Sequence, residues 1–281
     1  MLDFVQQLVS GIALGFVLVY KATEVVNFAQ GDLMMLGGFF AFTFIGMLGL
    51  NYWLGFAGAV ICMALFGMLA ERVVVRPILG YPQFSIIMAT IGLGYFLRSV
   101  VGMIWGTDDF KIETPFSDGV LRIGSLVLAY DKLSVIAATV ILCAMLYGFF
   151  NRTTLGTAMR ASSENMLAAY YMGIPVKRLN GFVWGLAAAV AAVAGVLLAP
   201  ITFVHANMGF IGLKALPAAI VGGFGSLPGA LVGGLLIGVV EALSGFYLPE
   251  GFKDIAPYVV VLIMLVVRPN GLFGERLRKK V

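Results

Sequence analysis

The chain has 281 residues, of which 61% are hydrophobic and only 11% are charged. Soluble domains are about half apolar and about a quarter charged, so a water-soluble fold of this size would lack the polar surface it needs. The net charge is +4, but the cations lie in short gaps between apolar runs rather than on one helical face, which argues against a nucleic-acid partner. The composition therefore predicts an all-α, polytopic protein embedded in membrane lipid.

Eight apolar runs approach or reach the roughly 20 residues that a helix needs to cross the hydrocarbon core of a bilayer. They are residues 4–20, 33–50, 54–70, 84–105, 133–150, 181–203, 227–247 and 255–267. A ninth stretch, 210–225, is apolar but short, and it contains Lys214 and Pro217, so a broken or partial crossing is predicted there. The sequence thus predicts a helical bundle of eight or nine spans in one domain, residues 1–281.

Lysine and arginine in short loops mark the cytoplasmic side of a membrane protein. Such cations follow the third run at Arg72 and Arg76, recur through residues 151–180 and end the chain. The segment 106–132 has more acidic than basic residues and is predicted to face the opposite side, with a small β-hairpin where side-chain polarity alternates over 120–126. The C-terminus is therefore expected in the cytoplasm and the N-terminus outside.

The sequence lacks the common catalytic motifs. It contains no G-x-x-x-x-G-K-[ST] loop for ATP, no G-x-S-x-G elbow and no H-E-x-x-H pair, and His205 is its single histidine. No catalytic residue, no metal site and no cofactor bound by this chain is therefore predicted.

The longest polar interruption, residues 151–180, has helical periodicity. Ser162 or Ser163 is expected to cap a second helix within it, and Gly173 with Pro175 is expected to end that helix. Small residues before a turn glycine form a knob that fits a groove in a partner protein. An ordinary amphipathic surface helix explains the same pattern equally well.

Polar side chains within or between apolar runs are the next candidates for function. Asn27, Gln30 and Asp32 lie between the first two runs. They fit a local role, in which Asp32 caps the second helix and Asn27 binds loop carbonyls, or a role in lining a pathway beside a discontinuous helix. Glu241 lies deep in an apolar run, where an acid faces water or is paired, so both a functional role and an ion pair with Lys214 stay open.

The densest group of glycines follows residue 221, and two G-x-x-x-G spacings occur there. Close packing of helices is the favoured interpretation, because small residues let helix backbones approach each other in a membrane. A flexible element that acts as a gate beside a cavity is the alternative. The glycines concerned are Gly222, Gly223, Gly225, Gly229 and Gly233.

Five stretches of the chain carry a resemblance to a known family. They are VVNFAQGD at 25–32, ERVVVRP at 71–77, residues 160–174, AAIVGGFGSLPG at 218–229 and RPNGLFG at 268–274. In this order they resemble the branched-chain amino acid permeases of ABC importers, of the high-affinity leucine-isoleucine-valine type. The resemblance covers nearly the whole chain. The first run, 4–20, is shorter than its counterpart in that family, so a position partly in the membrane interface is an alternative to an ordinary crossing.

The resemblance implies a subunit of the bacterial inner membrane whose 106–132 loop is periplasmic. Its implied partners are a second, homologous permease subunit, two cytoplasmic ATPase subunits that use the ATP, and a periplasmic solute-binding protein. It also implies that 151–180 couples the permease to an ATPase. The residues that match the coupling helix are Arg160, Glu164, Ala168, Ala169, Gly173 and Ile174.

Three transport functions stay open at this stage. The first is an ABC importer permease for branched-chain or other hydrophobic amino acids. The second is the same architecture for another small solute, such as urea, an amide or an aromatic acid. The third is a secondary transporter or channel that acts alone, for which more ionisable groups in the spans would be expected.

Overall fold

The computed structural model describes residues 13, 15–20, 26–115, 119–123, 126–224, 226–249 and 251–273. Most of the first predicted span, Gly225 and the C-terminal cations at 276–280 lie outside the described residues, as do the side chains of Ser163 and Glu164.

The described part of the chain is almost entirely helical. Residues 15–20 are helical. The α-helices after them are α1 (Gln30–Phe42), α2 (Tyr52–Ala70), α3 (Gln83–Ile104), α4 (Tyr130–Arg152), α5 (Thr154–Glu164), α6 (Met166–Tyr171), α7 (Val176–Thr202), α8 (Met208–Leu213), α9 (Ala215–Gly222), α10 (Leu227–Tyr247) and α11 (Phe252–Val267). A π-helical turn, Thr43–Met47, extends α1, while the π-helical turn Glu71–Val75 and the 3₁₀ turn Arg76–Ile78 extend α2.

Five described helices are long and apolar enough to cross a membrane, judged by length and composition. Their bounds are Tyr52–Ile78, Gln83–Ile104, Leu133–Arg152, Val176–Thr202 and Pro228–Tyr247. They confirm the all-α, polytopic class and coincide with five of the predicted runs. Helix α11 has only 16 residues, so the total of eight or nine spans stays a prediction.

Helix α7 is the central helix, and most of its length is buried. Gly37 of α1 lies against Ala192, and Gly67 of α2 lies against Ala188 and the carbonyl of Trp184. A Cβ atom at either glycine would overlap its neighbours. These small residues let both helices pack closely against α7, which makes it the frame for the other elements.

The two ends of α7 hold different sets of loops. At its N-terminal end, Nη2 of Arg76 donates to the carbonyl of Lys177 at 3.0 Å. At its C-terminal end, the backbones of Phe110 and Val204 exchange hydrogen bonds of 2.9 and 2.8 Å. A helix of 27 residues is about 40 Å long. The cationic loops therefore lie at one end and the acidic loop at the other, which is the separation that the charge pattern predicts.

A β-hairpin follows α3, as the alternating sequence predicts. Strands β1 (Val120–Ile123) and β2 (Leu126–Ala129) are antiparallel, with Val120 opposite Ala129 and Ile123 opposite Leu126. The hairpin leads directly into α4.

The apolar stretch 210–225 is broken in the structure. Helices α8 and α9 meet at Lys214, which is both the C-cap of α8 and the N-cap of α9. The predicted break is confirmed, whereas a crossing of the bilayer by this helix pair stays a prediction.

The segment between α4 and α7 folds as two short helices, and the cap of the second one differs from expectation. Ser162 is buried within α5. Asn165 has extended backbone, and its Oδ1 accepts a hydrogen bond from the Ala168 amide at 2.9 Å. The expectation of a serine cap is wrong because the helix continues through both serines to Glu164. Gly173 ends the second helix, as expected, with φ of +82°.

Candidate functional site

The centre of the candidate site is an ion pair between two apolar helices. Asp32 lies in the first turn of α1, and Arg98 lies in α3. Nε of Arg98 is 2.5 Å from Oδ1 of Asp32, and the two side chains are 15% and 4% exposed. Each charge alone would be costly at this depth, so the pair is what allows both to be buried.

This ion pair replaces the capping role expected for Asp32. Helix α1 begins after Ala29, and no side chain caps its first amides. The carboxylate instead reaches across to α3. The expectation is wrong because Asp32 lies inside the first turn, beyond the capping position.

Glycines enclose the Asp32 carboxylate on two sides. A Cβ atom at Gly94 of α3 would overlap Oδ2, and a Cβ atom at Gly209 of α8 would overlap Oδ1. Gly31 and Gly212 bring the backbones of α1 and α8 together in the same region. Helices α1, α3 and α8 therefore meet at one buried carboxylate with little room for movement.

Arg98 is the functional candidate that sequence reasoning missed. Its guanidinium carbon is 3.7 Å from the ring centroid of Phe210 and 5.4 Å from that of Tyr95. The available signal was a single arginine within the fourth apolar run, since an ionisable residue in a span is a functional candidate by default. Its partner, 66 positions away, was not readable from local sequence.

Asn27 and Gln30 form a second polar group beside the ion pair. Oδ1 of Asn27 accepts from the Ala29 amide at 3.0 Å, and its Nδ2 donates to Oε1 of Gln30 at 3.3 Å. Nε2 of Gln30 donates to the carbonyl of Ala187 at 3.2 Å. Asn27 therefore binds an amide of its own loop rather than the expected carbonyls, and the group ties the start of α1 to α7. A role for it in the pathway stays a prediction.

Glu241 lies in a different ionic cluster. Nζ of Lys214 is 3.7 Å from Oε1 of Glu241 and also donates to Oδ1 of Asp254. Glu241 is buried, and its Oε2 has no hydrogen-bond partner among the described residues. The pair with Lys214 that the sequence suggested is present, and it joins the break between α8 and α9 to α10 and α11.

Three of the predicted glycines lie in a contact between α9 and α10. Gly222 faces the carbonyl of Gly229, and Gly233 faces the carbonyl of Ala218, so closely that a Cβ atom would overlap. Gly223 ends α9 with φ of +98°, whereas Gly225 lies outside the described residues. This arrangement matches helix packing; a gating role stays a prediction.

The segment after α11 returns to the end of α9. The amide of Leu272 donates to the Val221 carbonyl at 2.9 Å, and the amide of Phe273 donates to the Gly222 carbonyl at 3.1 Å. Two of the stretches that carried the resemblance, 218–229 and 268–274, are therefore in direct contact.

The predicted coupling residues lie on α5, α6 and the turn that follows. Ala169 is buried against the protein, whereas Ala168 is exposed. Leu167 and Tyr171 lie on the face of α6 opposite Ala169 and are 69% and 82% exposed. Helix α6 thus presents an apolar outer face.

Two other coupling candidates, Arg160 and Ile174, are less exposed than the outer face of α6. Nη2 of Arg160 donates to the carbonyl of Phe150, which attaches α5 to the end of α4. Ile174 is half-buried, and its amide donates to the Ala169 carbonyl at 3.0 Å. The Glu164 side chain lies outside the described residues, and the coupling role of all these residues stays a prediction.

Metal-ligating side chains do not converge in the part of the chain that the structure describes. No group of three or more histidine, cysteine, aspartate or glutamate residues there could hold a metal ion.

Comparisons with known proteins give consistent relatives. Residues 8–267 match a family model described as the permease component of the branched-chain amino acid transport system. The chain is 33% identical to the high-affinity branched-chain amino acid transport system permease protein LivH of Salmonella typhimurium, over 100% of this chain and 98% of that protein. It is 32% identical to the corresponding permease protein BraD of Pseudomonas aeruginosa, over 99% and 98% of the two chains.

An archaeal relative and a solved structure agree with this. A probable branched-chain amino acid transport permease protein LivH of Methanocaldococcus jannaschii is 30% identical, over 95% of this chain and 89% of that protein. The structure of PsaBC from Streptococcus pneumoniae in complex with Fab matches with a TM-score of 0.51 at 17% identity, covering 96% of this chain and 92% of that chain. At that identity the structural match shows the fold alone.

Proposed function

Because the chain belongs to the family of permease components of branched-chain amino acid transport systems, we propose that it is the permease subunit of an ABC importer for branched-chain and other hydrophobic amino acids. Bacterial relatives that carry this description match over nearly their full length. The five candidate spans supply the body of a multi-pass inner-membrane protein. The chain moves a solute and is not an enzyme.

The importer contains three further kinds of subunit. They are a second, homologous permease subunit, two cytoplasmic ATPase subunits and a periplasmic solute-binding protein. The relatives are named as components of a transport system, which supports an assembly of several proteins. The ATPase subunits bind and hydrolyse the ATP, and this chain holds no cofactor.

The end of the protein that contains 71–78 and α5–α6 faces the cytoplasm, and the loop with Phe110 faces the periplasm. The separation of cationic and acidic loops along α7 supports this orientation. The C-terminus is cytoplasmic and the N-terminus periplasmic.

The single observation that carries the coupling proposal is the apolar outer face of α6. Leu167 and Tyr171 are large, apolar and exposed at the end of the protein that the cations mark as cytoplasmic. Helices α5 and α6 therefore dock in a groove of one ATPase. Closure of the two ATPases moves this surface and switches the pathway between outward and inward access as a rigid-body change.

Substitutions of Gly173 test the coupling surface. A Cβ atom at this glycine would meet nothing within 4 Å, and its φ of +82° strains any other residue. Gly173→Ala and Gly173→Trp therefore impose the same backbone strain but differ in the bulk that they place on the surface. We expect Gly173→Trp to reduce ATP-driven uptake about ten-fold relative to Gly173→Ala, with equal amounts of both in the membrane.

Uptake of labelled leucine by the reconstituted importer is the measurement, together with ATP hydrolysis stimulated by the binding protein. Equal uptake by the two variants would overturn the coupling proposal. Leucine uptake that continues without ATP would instead support a transporter that acts alone. Uptake of urea in place of leucine would support the same architecture with another solute.

A further inference from the structure

Arg98 has hydrogen-bonding capacity that its ion pair leaves unused. A guanidinium group carries five N–H donors, and only Nε of Arg98 donates to Asp32. Neither Nη nitrogen makes a hydrogen bond among the described residues, and the side chain keeps 15% exposure. The edge of the guanidinium that suits a second carboxylate is therefore available.

The guanidinium group is also packed against an aromatic ring. The ring of Phe210 lies 3.7 Å from its central carbon, close enough for a cation–π contact, and Phe210 and Tyr95 are themselves exposed. Asp32 is confined between Gly94 and Gly209, so the anchor of Arg98 cannot move far. A fixed, planar donor pair recognises a carboxylate in two-pronged geometry better than a mobile ammonium group does.

Arg98 lies near one end of α3, where a solute that enters the pathway from that end would reach it first. It lies six residues before the end of α3, about 9 Å along the helix axis from the loop that contains Phe110. That loop faces the periplasm in the proposed orientation. A partly exposed arginine at this depth faces a water-filled pathway or a polar partner rather than lipid.

A second cation follows the helix that contains Phe210. Lys214 is the C-terminal cap of α8, four residues after Phe210. The acids Glu241 and Asp254 contact Lys214, whereas among the residues that the structure describes Arg98 pairs with Asp32 alone. Within the described part of the chain, Arg98 is therefore the cation of the two that has donors left for an anion.

We infer that Arg98 binds the carboxylate of the transported solute, with Asp32 as its positioning residue and Phe210 as the surface on which the guanidinium lies. This rests on the proposed function, and it specifies the solute as one with a carboxylate. Urea and simple amides lack that group, so the site discriminates against them.

The test compares leucine with leucinamide, which keeps the side chain and the amine but has no carboxylate. Binding of each compound is measured on the assembled transporter in nanodiscs without its binding protein, by ligand-observed magnetic resonance titration. For the wild type we expect leucine to bind at least ten-fold more tightly than leucinamide, because two charge-assisted hydrogen bonds are lost with the carboxylate. For Arg98→Gln we expect the two affinities to become equal.

Two further variants keep the test decisive. Arg98→Lys retains the charge that Asp32 needs but has no planar fork, so we expect it to assemble and to show a reduced preference for leucine. Arg72→Gln removes an exposed cation at the other end of the protein, and we expect it to keep the wild-type preference. If Arg98→Gln fails to assemble, the wild-type and Arg98→Lys preferences decide the outcome.

Equal affinities of the wild type for leucine and leucinamide would overturn the inference. It would also be overturned if both Arg98→Lys and Arg98→Gln kept the wild-type preference for leucine. Loss of the second permease subunit from Arg98→Gln, with no carboxylate preference in the wild type, would show that Arg98 is a subunit contact. Failure of the proposed function is separate: it would appear as absence of ATP-driven leucine uptake by the wild type.

Discussion

Two arginine–carboxylate pairs hold buried acids in the described part of the protein, and they use the arginine differently. At the N-terminal end of α7, Nε and Nη2 of Arg76 both bind Glu71, at 3.2 and 2.7 Å, and Nη2 also binds the Lys177 carbonyl. Near the opposite end, Arg98 uses only Nε for Asp32. Counted over the described residues, the arginine that joins α2 to α7 has three hydrogen bonds, and the arginine beside the proposed pathway has one.

The two ion pairs differ in how many donors of the arginine are in use. We call a pair closed when the arginine binds its acid through two nitrogens and also binds a carbonyl, and open when a single nitrogen is bonded. Glu71 is fully buried although Arg76 is 33% exposed, and the hydrogen bonds of that arginine are directed at neighbouring elements. Arg98 is less exposed but has more donors available. If exposure were the criterion, Arg76 would be the functional candidate. Arg98 is the better candidate because more of its N–H donors are unused among the described residues.

The largest expected effect is on the closed pair. Arg76→Met leaves the Glu71 carboxylate buried without a partner, and breaking such a pair costs about 3–5 kcal/mol. We expect a sharply lower thermal midpoint of the purified protein in detergent and a reduced yield. Arg72→Gln is the control, since Arg72 is exposed on the same π-helical turn. A thermal midpoint of Arg76→Met equal to that of this control would contradict the structural role.

The glycines around Asp32 provide the next effect. Gly94→Ala places a methyl group on the carboxylate, and overpacking of this kind costs about 1–3 kcal/mol. Gly92→Ala, two residues earlier in α3, meets nothing within 4 Å. We expect Gly94→Ala to lower both thermal stability and leucine uptake, and Gly92→Ala to leave both unchanged or slightly improved, because alanine favours helix. Equal behaviour of the two alanine variants would show that Asp32 is not enclosed.

The smallest effect on stability separates the two arginines directly. Arg98→Lys keeps the positive charge beside Asp32 and replaces one guanidinium hydrogen bond by one from an ammonium group. We therefore expect the free energy of unfolding to change by less than about 1 kcal/mol. Arg76→Lys cannot bind the carboxylate and the carbonyl with the same planar fork, so its loss should be larger. Thermal unfolding of the matched pair measures the difference. A larger loss in Arg98→Lys would reverse the assignment of open and closed pairs.

The candidate site was only partly predictable from local patterns. Asn27, Gln30 and Asp32 were identifiable as polar residues beside apolar runs. The structure buries all three and joins Asn27 to Gln30 by a hydrogen bond. The distant partners of Gln30 and Asp32 were not identifiable, since Ala187 and Arg98 come from helices far along the chain. The Ser162 and Ser163 caps failed for a related reason: several residues near a predicted helix start can cap it, and the backbone chooses among them.

The sequence by itself determined that this is a helical membrane protein of the permease family, because span length, loop charge and short motifs are local properties of the chain. It also indicated a break within 210–225 and the turn at Gly173. Only the tertiary structure decided which charges meet. Asp32 and Arg98 are 66 positions apart, and they are joined because Gly94 and Gly209 let α3 and α8 approach the start of α1. Pairing across helices depends on packing, which no single stretch of sequence contains.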